Sequence, residues 1–106
     1  MRWDVVTMFD VLEHLPNPDE TVAGLHAEWV MVSVPWCPSF TRLGGFMEWK
    51  HRRPGEHLWH WNRGTLDAFF KRLCYRPVMH SSFEDEYRPH PEQADPNILT
   101  ALYRRS

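Results

Sequence analysis

Glycine is scarce in this chain: the five residues form neither G-x-G-x-x-G nor a P-loop, so no stretch of it can wrap backbone N–H groups around a phosphate. Cysteine is scarcer still. Cys37 and Cys74 form no metal-type pair and no disulfide framework, which fits a reducing cytoplasm, and both read as small buried hydrophobes. No apolar run is long enough for a membrane span or a signal-peptide core, the opening Met1 to Val6 included, so the expectation is a soluble cytoplasmic protein without a membrane partner. Excess charge of one sign is missing too. The 12 Lys and Arg stand against 14 Asp and Glu, a formal net charge of −2, which points to no polyanionic partner, so a nucleic-acid partner is not expected from charge.

Tryptophan and proline are abundant instead, with six and nine residues in a chain of 106. Trp36, Trp49, Trp59 and Trp61 fall close together, and a binding surface is to be sought there. The length allows one small domain, residues 1–106, with modest stability.

Hydrophobic patterning places the elements. Trp3 to Phe9 is a nearly continuous run of β-branched and aromatic residues, as in a parallel strand covered on both faces. Asp10 to Leu15 has room for one helical turn, ended by Pro16. Asn17 reads as the N-cap of a short helix to about His26, with Pro18 at its first position and Glu20 closing a capping box. Trp29 to Pro35 is a second buried strand, and Pro35 ends it because it cannot donate to a ladder. From Trp36 to Trp61 no period persists, which predicts a long loop with one helical turn near Phe40 to Phe46. Asn62 caps a helix whose Leu66, Phe69, Phe70 and Leu73 form one apolar stripe. Tyr75 to Phe83 is a third strand, an acidic and proline-rich connection runs from Glu84 to Pro96, and Asn97 to Arg104 is a fourth strand. The pattern is α/β and ends in a hairpin.

The most specific chemical feature is Asp10-x-x-Glu13-His14, directly after a buried strand, where ligands of open α/β sheets collect. In a helical turn these three side chains would share one face, a set suited to proton transfer or a hard cation, although such residues also serve capping and solvation. His57 and His60 are the further imidazoles, each able to act as ligand or base and each also readable as a surface residue. Lys50 to Arg53 could meet phosphate or simply solvent, and the acidic Glu84 to Glu86 run reads as solvated. Ser33, Ser39, Ser81 and Ser82 lie in no nucleophile motif.

Trp3 to Pro18 resembles the fourth-strand motif of class I S-adenosylmethionine-dependent methyltransferases, in which an aspartate-led apolar strand runs into an acidic residue, then Leu-Glu-His, then a proline-bounded helix start. Met31 to Pro35 resembles that family's fifth strand, Gly55 to Asn62 its segment before the last helix, and the last two strands its terminal antiparallel hairpin. The resemblance implies the C-terminal half of the fold: a partial Rossmann-like sheet with strand order first, second, fourth, third. It implies methyl transfer from S-adenosylmethionine to a small-molecule hydroxyl or amine. Phe9 and Asp10 would flank the cofactor's methionine end, while Glu13, His14 and His57 would orient or activate the acceptor. The resemblance extends to relatives with a Glu-x-x-Glu-His motif, which implies that Asp10, Glu13, His14 and His57 hold a divalent cation, magnesium being the expected ion.

Measured against the family, the first three strands are missing, with their glycine-rich loop and ribose-binding acid, so this polypeptide alone is expected to bind the cofactor weakly or not at all. The first strand would then keep an open edge and an uncovered apolar face, and a homodimer through that edge is expected. Cys74 stands where the family has a glycine and would be strained in a left-handed cap. The alternative to an enzyme is a non-catalytic remnant or a binding module built on the tryptophan-rich loop, stacking sugars or bases.

Overall fold

The computed structural model describes residues 3–37, 59–83 and 98–106. Within them four strands form one mixed sheet: β1 (Trp3–Phe9), β2 (Ala27–Pro35), β3 (Tyr75–Ser81) and β4 (Ile98–Arg105), in the order β1-β2-β4-β3. The strands β1 and β2 are parallel, and β4 runs antiparallel to both its neighbours. That is the expected α/β sheet with its last strand inserted. A 3-10 turn (Leu12–His14) and helix α1 (Pro18–Ala23) connect β1 to β2, and helix α2 (Arg63–Arg72) precedes β3. The predicted turn at Phe40 to Phe46, the Lys50 to Arg53 cluster, Trp49, His57 and the Glu84 to Pro96 connection lie outside the described residues.

Register decides which residues form the core. Along β2, Val30, Val32 and Val34 sit opposite Tyr103, Ala101 and Leu99 of β4, and Met8 of β1 lies beside Val32. These are buried together with Leu66, Phe69 and Phe70 of α2, so the apolar stripe of that helix covers one face of the sheet. The Phe70 ring stacks on Tyr103 with centroids 4.0 Å apart and planes 14° apart, and meets Phe69 and Tyr75 edge-on. A polar clamp reinforces the contact: Asp67 Oδ1 accepts from the Tyr103 hydroxyl at 2.7 Å and lies 2.6 Å from His80 Nε2. Burial, then the hydrogen bond and charge of Asp67, push the Tyr103 phenol far above its ordinary value, so it stays a neutral donor.

The two helix starts differ. Asn62 Oδ1 accepts from the Thr65 N–H and Thr65 Oγ1 accepts from the Asn62 N–H, both at 2.9 Å, a reciprocal cap of the kind expected for a helix with four orphan donors. Asn17 makes no side-chain cap bond, contrary to expectation; its carbonyl instead accepts from the backbone N–H and hydroxyl of Thr21, at 3.2 and 3.3 Å. That helix ends at Ala23, short of His26, because Gly24 interrupts it and β2 already begins at Ala27.

The strand β1 is not covered on both faces. Its core-facing side holds Met8, but Trp3, Val5 and Phe9 on the opposite side are 55%, 54% and 46% exposed. Nothing among the described residues pairs with the outer edge of β1. The other edge, β3, is blunted by Pro77 and by a register shift between Pro77 and Met79. Among the described residues no helix is long and apolar enough to cross a membrane.

Cys74 has φ 66°, the left-handed backbone foreseen for the position after α2, and it is exposed rather than buried. Cys37 is half-buried, which pushes its thiol up. A left-handed residue with a Cβ costs about 1–2 kcal/mol, partly offset because glycine loses more freedom on folding. Cys74→Gly is therefore expected to stabilise the fold by about 0.5–1 kcal/mol, seen as a rise of a few degrees in Tm. Thermal denaturation checks this, and an unchanged or lowered Tm would contradict it.

Candidate functional site

At the carboxyl end of β1 the chain must leave the sheet sharply, and it does so through Asp10. Its φ of 58° is tolerated by aspartate better than by most residues, and its N–H still donates to the Ser33 carbonyl of β2 at 3.2 Å. Leu12, fully buried, then anchors the 3-10 turn in the core. Two backbone bonds close that turn, from His14 N–H to Val11 at 3.0 Å and from Leu15 N–H to Leu12 at 3.3 Å. Pro16 follows, so the turn cannot extend into a helix.

The geometry separates the three polar side chains that a full helical turn would have aligned. Asp10 stands before the turn, exposed, with a left-handed backbone; Glu13 faces inward and is 1% exposed; His14 faces outward with 44% of its side chain exposed. The left-handed Asp10 interrupts the helical phase before the turn, so the three residues do not lie on one continuous helix. Glu13 and His14 remain together, with Glu13 Oε1 3.5 Å from His14 Nε2. Phe9, exposed beside them, completes the end of the strand.

The segment leading into α2 crosses this same end. The Trp59 N–H donates to the Glu13 carbonyl at 3.3 Å, and its indole Nε1–H donates to the Leu15 carbonyl at 2.7 Å. Trp61 is buried, forms a parallel bridge with Trp36, and accepts from the Cys37 N–H at 2.8 Å. His60, between the two indoles, is half-buried. His57 lies outside the described residues, so the structure brings together Glu13 and His14 of the three expected acceptor-side residues.

Among the described residues no three carboxylate, imidazole or thiolate groups are disposed to hold a metal ion. A row of side chains whose pairing no sequence pattern marks runs across the sheet from Phe9: Ser33 and Thr100 are register partners, both fully buried, and among the described residues neither hydroxyl has a hydrogen-bond partner. No motif marks them, because the pairing of β2 with β4 is what juxtaposes them. The Asp67, His80 and Tyr103 clamp was equally invisible, since its members come from three elements brought together only by packing.

Residues 1–77 match a family model described as a methyltransferase domain. No curated protein matches the chain. Solved structures similar to it include the crystal structure of the small RNA methyltransferase HEN1, with a TM-score of 0.55 and 18% sequence identity over 99% of this chain and 14% of that one. This chain therefore spans about a seventh of that protein's length, and the likeness is one of fold.

Proposed function

The chain belongs to the methyltransferase-domain family, and from that premise we propose that it forms the acceptor side of a methyl-transfer site, in which His14, backed by the buried Glu13, takes the proton from a small-molecule hydroxyl or amine. The observation that carries this reading is the buried carboxylate 3.5 Å from an exposed imidazole at the carboxyl end of β1. A carboxylate on one side of an imidazole orients the ring and stabilises its protonated form, which is what a general base requires. In the tautomer that carries its proton on Nε2, the nitrogen nearer Glu13 Oε1, the nitrogen that receives the acceptor's proton is Nδ1. Loss of that proton leaves the acceptor oxygen or nitrogen with the electron pair that forms the new bond to carbon.

Methyltransferases of this family generally use S-adenosylmethionine, and the described residues fit one end of it. Exposed Asp10 can pair with the ammonium of the methionine part, and Phe9 can pack against its chain. The two described glycines, Gly24 and Gly64, stand singly at the end of α1 and the start of α2 and form no glycine-rich cradle for the rest. When bound, the cofactor supplies an electrophilic methyl group on sulfur. The chain's own contribution is to position the acceptor and hold its proton.

The test is transfer of a labelled methyl group from S-adenosylmethionine, across a panel of small hydroxyl and amine acceptors, by this chain joined to the glycine-rich, cofactor-binding half of a family member. Turnover above the uncatalysed rate with at least one acceptor is expected of the joined protein, and none of the chain by itself. A joined protein that folds and binds the cofactor but transfers to none of the acceptors would overturn the reading.

A further inference from the structure

We infer that Trp59 is a preformed stacking platform that selects a planar aromatic acceptor, a phenol or aryl amine, and presents its nucleophile to His14; this deepens the acceptor-side reading above and rests on it. Trp59 is 43% exposed, which is unusual for an indole tied down at both ends. Its backbone N–H is held by the Glu13 carbonyl and its indole N–H by the Leu15 carbonyl, the two residues that flank His14 in the chain. The indole and the imidazole are thus carried by one short turn. The ring is also braced from behind: Trp59 lies 6.4 Å from Trp61 at 30°, and Trp61 meets Phe69 of the core at 5.1 Å.

An aromatic surface fixed in this way loses little freedom when a ligand stacks on it, so more of the contact appears as affinity. What it recognises is a π-face. The indole N–H is already used by Leu15, so the ring offers no donor of its own to distinguish sugars or amides. A nucleobase has a π-face too, but it arrives with phosphates, and the net charge of −2 together with exposed Asp10 at the strand end disfavours them. A small ring bearing a hydroxyl or amine meets both halves of the site, the indole through its face and His14 through its acidic proton.

The probes are naphthol and its saturated counterpart decalinol, titrated into the full chain without cofactor and followed by proton–nitrogen NMR of the indole N–H signals. The Trp59 signal is the one lost in Trp59→Phe. Naphthol is expected to shift that signal saturably, with decalinol about tenfold weaker or worse. In the variants, which lack that signal, binding is read by calorimetry: Trp59→Leu should weaken naphthol binding by at least about tenfold, and Trp59→Phe, which keeps a π-face but loses the bond to Leu15, should fall between Trp59→Leu and the parent. Equal binding of naphthol and decalinol, or equal binding of naphthol by parent and a folded Trp59→Leu, would overturn the platform. So would a short single-stranded RNA that displaces naphthol from Trp59 with tighter, salt-dependent affinity. Because binding is read without cofactor, a chain that stacks naphthol but transfers no methyl group when joined to the cofactor-binding half keeps the platform while the methyl-transfer reading fails.

Discussion

Methyl transfer by the joined protein is expected to fall by about 10²–10⁴-fold when His14 is replaced by glutamine, the range that a positioned general base contributes. Glutamine keeps a polar group of similar reach beside Glu13 but cannot take up a proton near neutral pH. The side chain is 44% exposed, so the substitution should change stability by no more than about 0.5 kcal/mol, and thermal denaturation separates lost chemistry from lost fold. Glu13→Gln should reduce the rate less, because it leaves the imidazole in place and removes only the charge that orients it and stabilises its protonated form. Turnover by the His14 variant at the parent rate would remove His14 from the chemistry. Attention would then pass to His57, whose alanine variant is the corresponding test.

The largest effect on stability is expected at Phe70. Its side chain is fully buried, stacked on Tyr103 and edge-on to both Phe69 and Tyr75, at the centre of the contact between α2 and the sheet. Truncation to alanine removes the transfer free energy of a buried ring and leaves a cavity, together about 3–5 kcal/mol. A domain of this size has only about 5–15 kcal/mol in all, so the variant should be marginally folded at room temperature. Urea unfolding followed by circular dichroism measures the difference. Phe70→Leu, which refills most of the space, should recover a large part of the loss. A loss below about 1 kcal/mol for alanine would mean that α2 does not bury this ring against β4.

Local chemistry made much of the fold legible. The runs of Trp3 to Phe9 and Trp29 to Pro35 became strands because β-branched and aromatic side chains favour the extended backbone and each run is shorter than an ordinary helix. The Leu66, Phe69, Phe70 stripe became the inward side of a helix. The left-handed backbone at Cys74 was implied by the resemblance, in which a glycine stands at that place after the last helix. The strand order and the inserted β4 followed from family resemblance rather than from any pattern in the residues.

The site was legible only as a neighbourhood. Sequence places Asp10, Glu13 and His14 after a strand, and that much needs no tertiary structure, because adjacent residues cannot separate. Whether the three share a helical face depends on backbone phase, and the left-handed Asp10 interrupts that phase while Glu13 is buried. Burial of Glu13 beneath His14, the anchoring of Trp59 across their turn, and the meeting of Asp67 with His80 and Tyr103 are likewise decided by tertiary structure. Trp59 reaches Leu15 across 44 positions and Tyr103 reaches Asp67 across 36. Local propensity acts over a few residues and sets the elements. Contacts at those separations exist only once the sheet has closed and packing has chosen which side of each element faces inward.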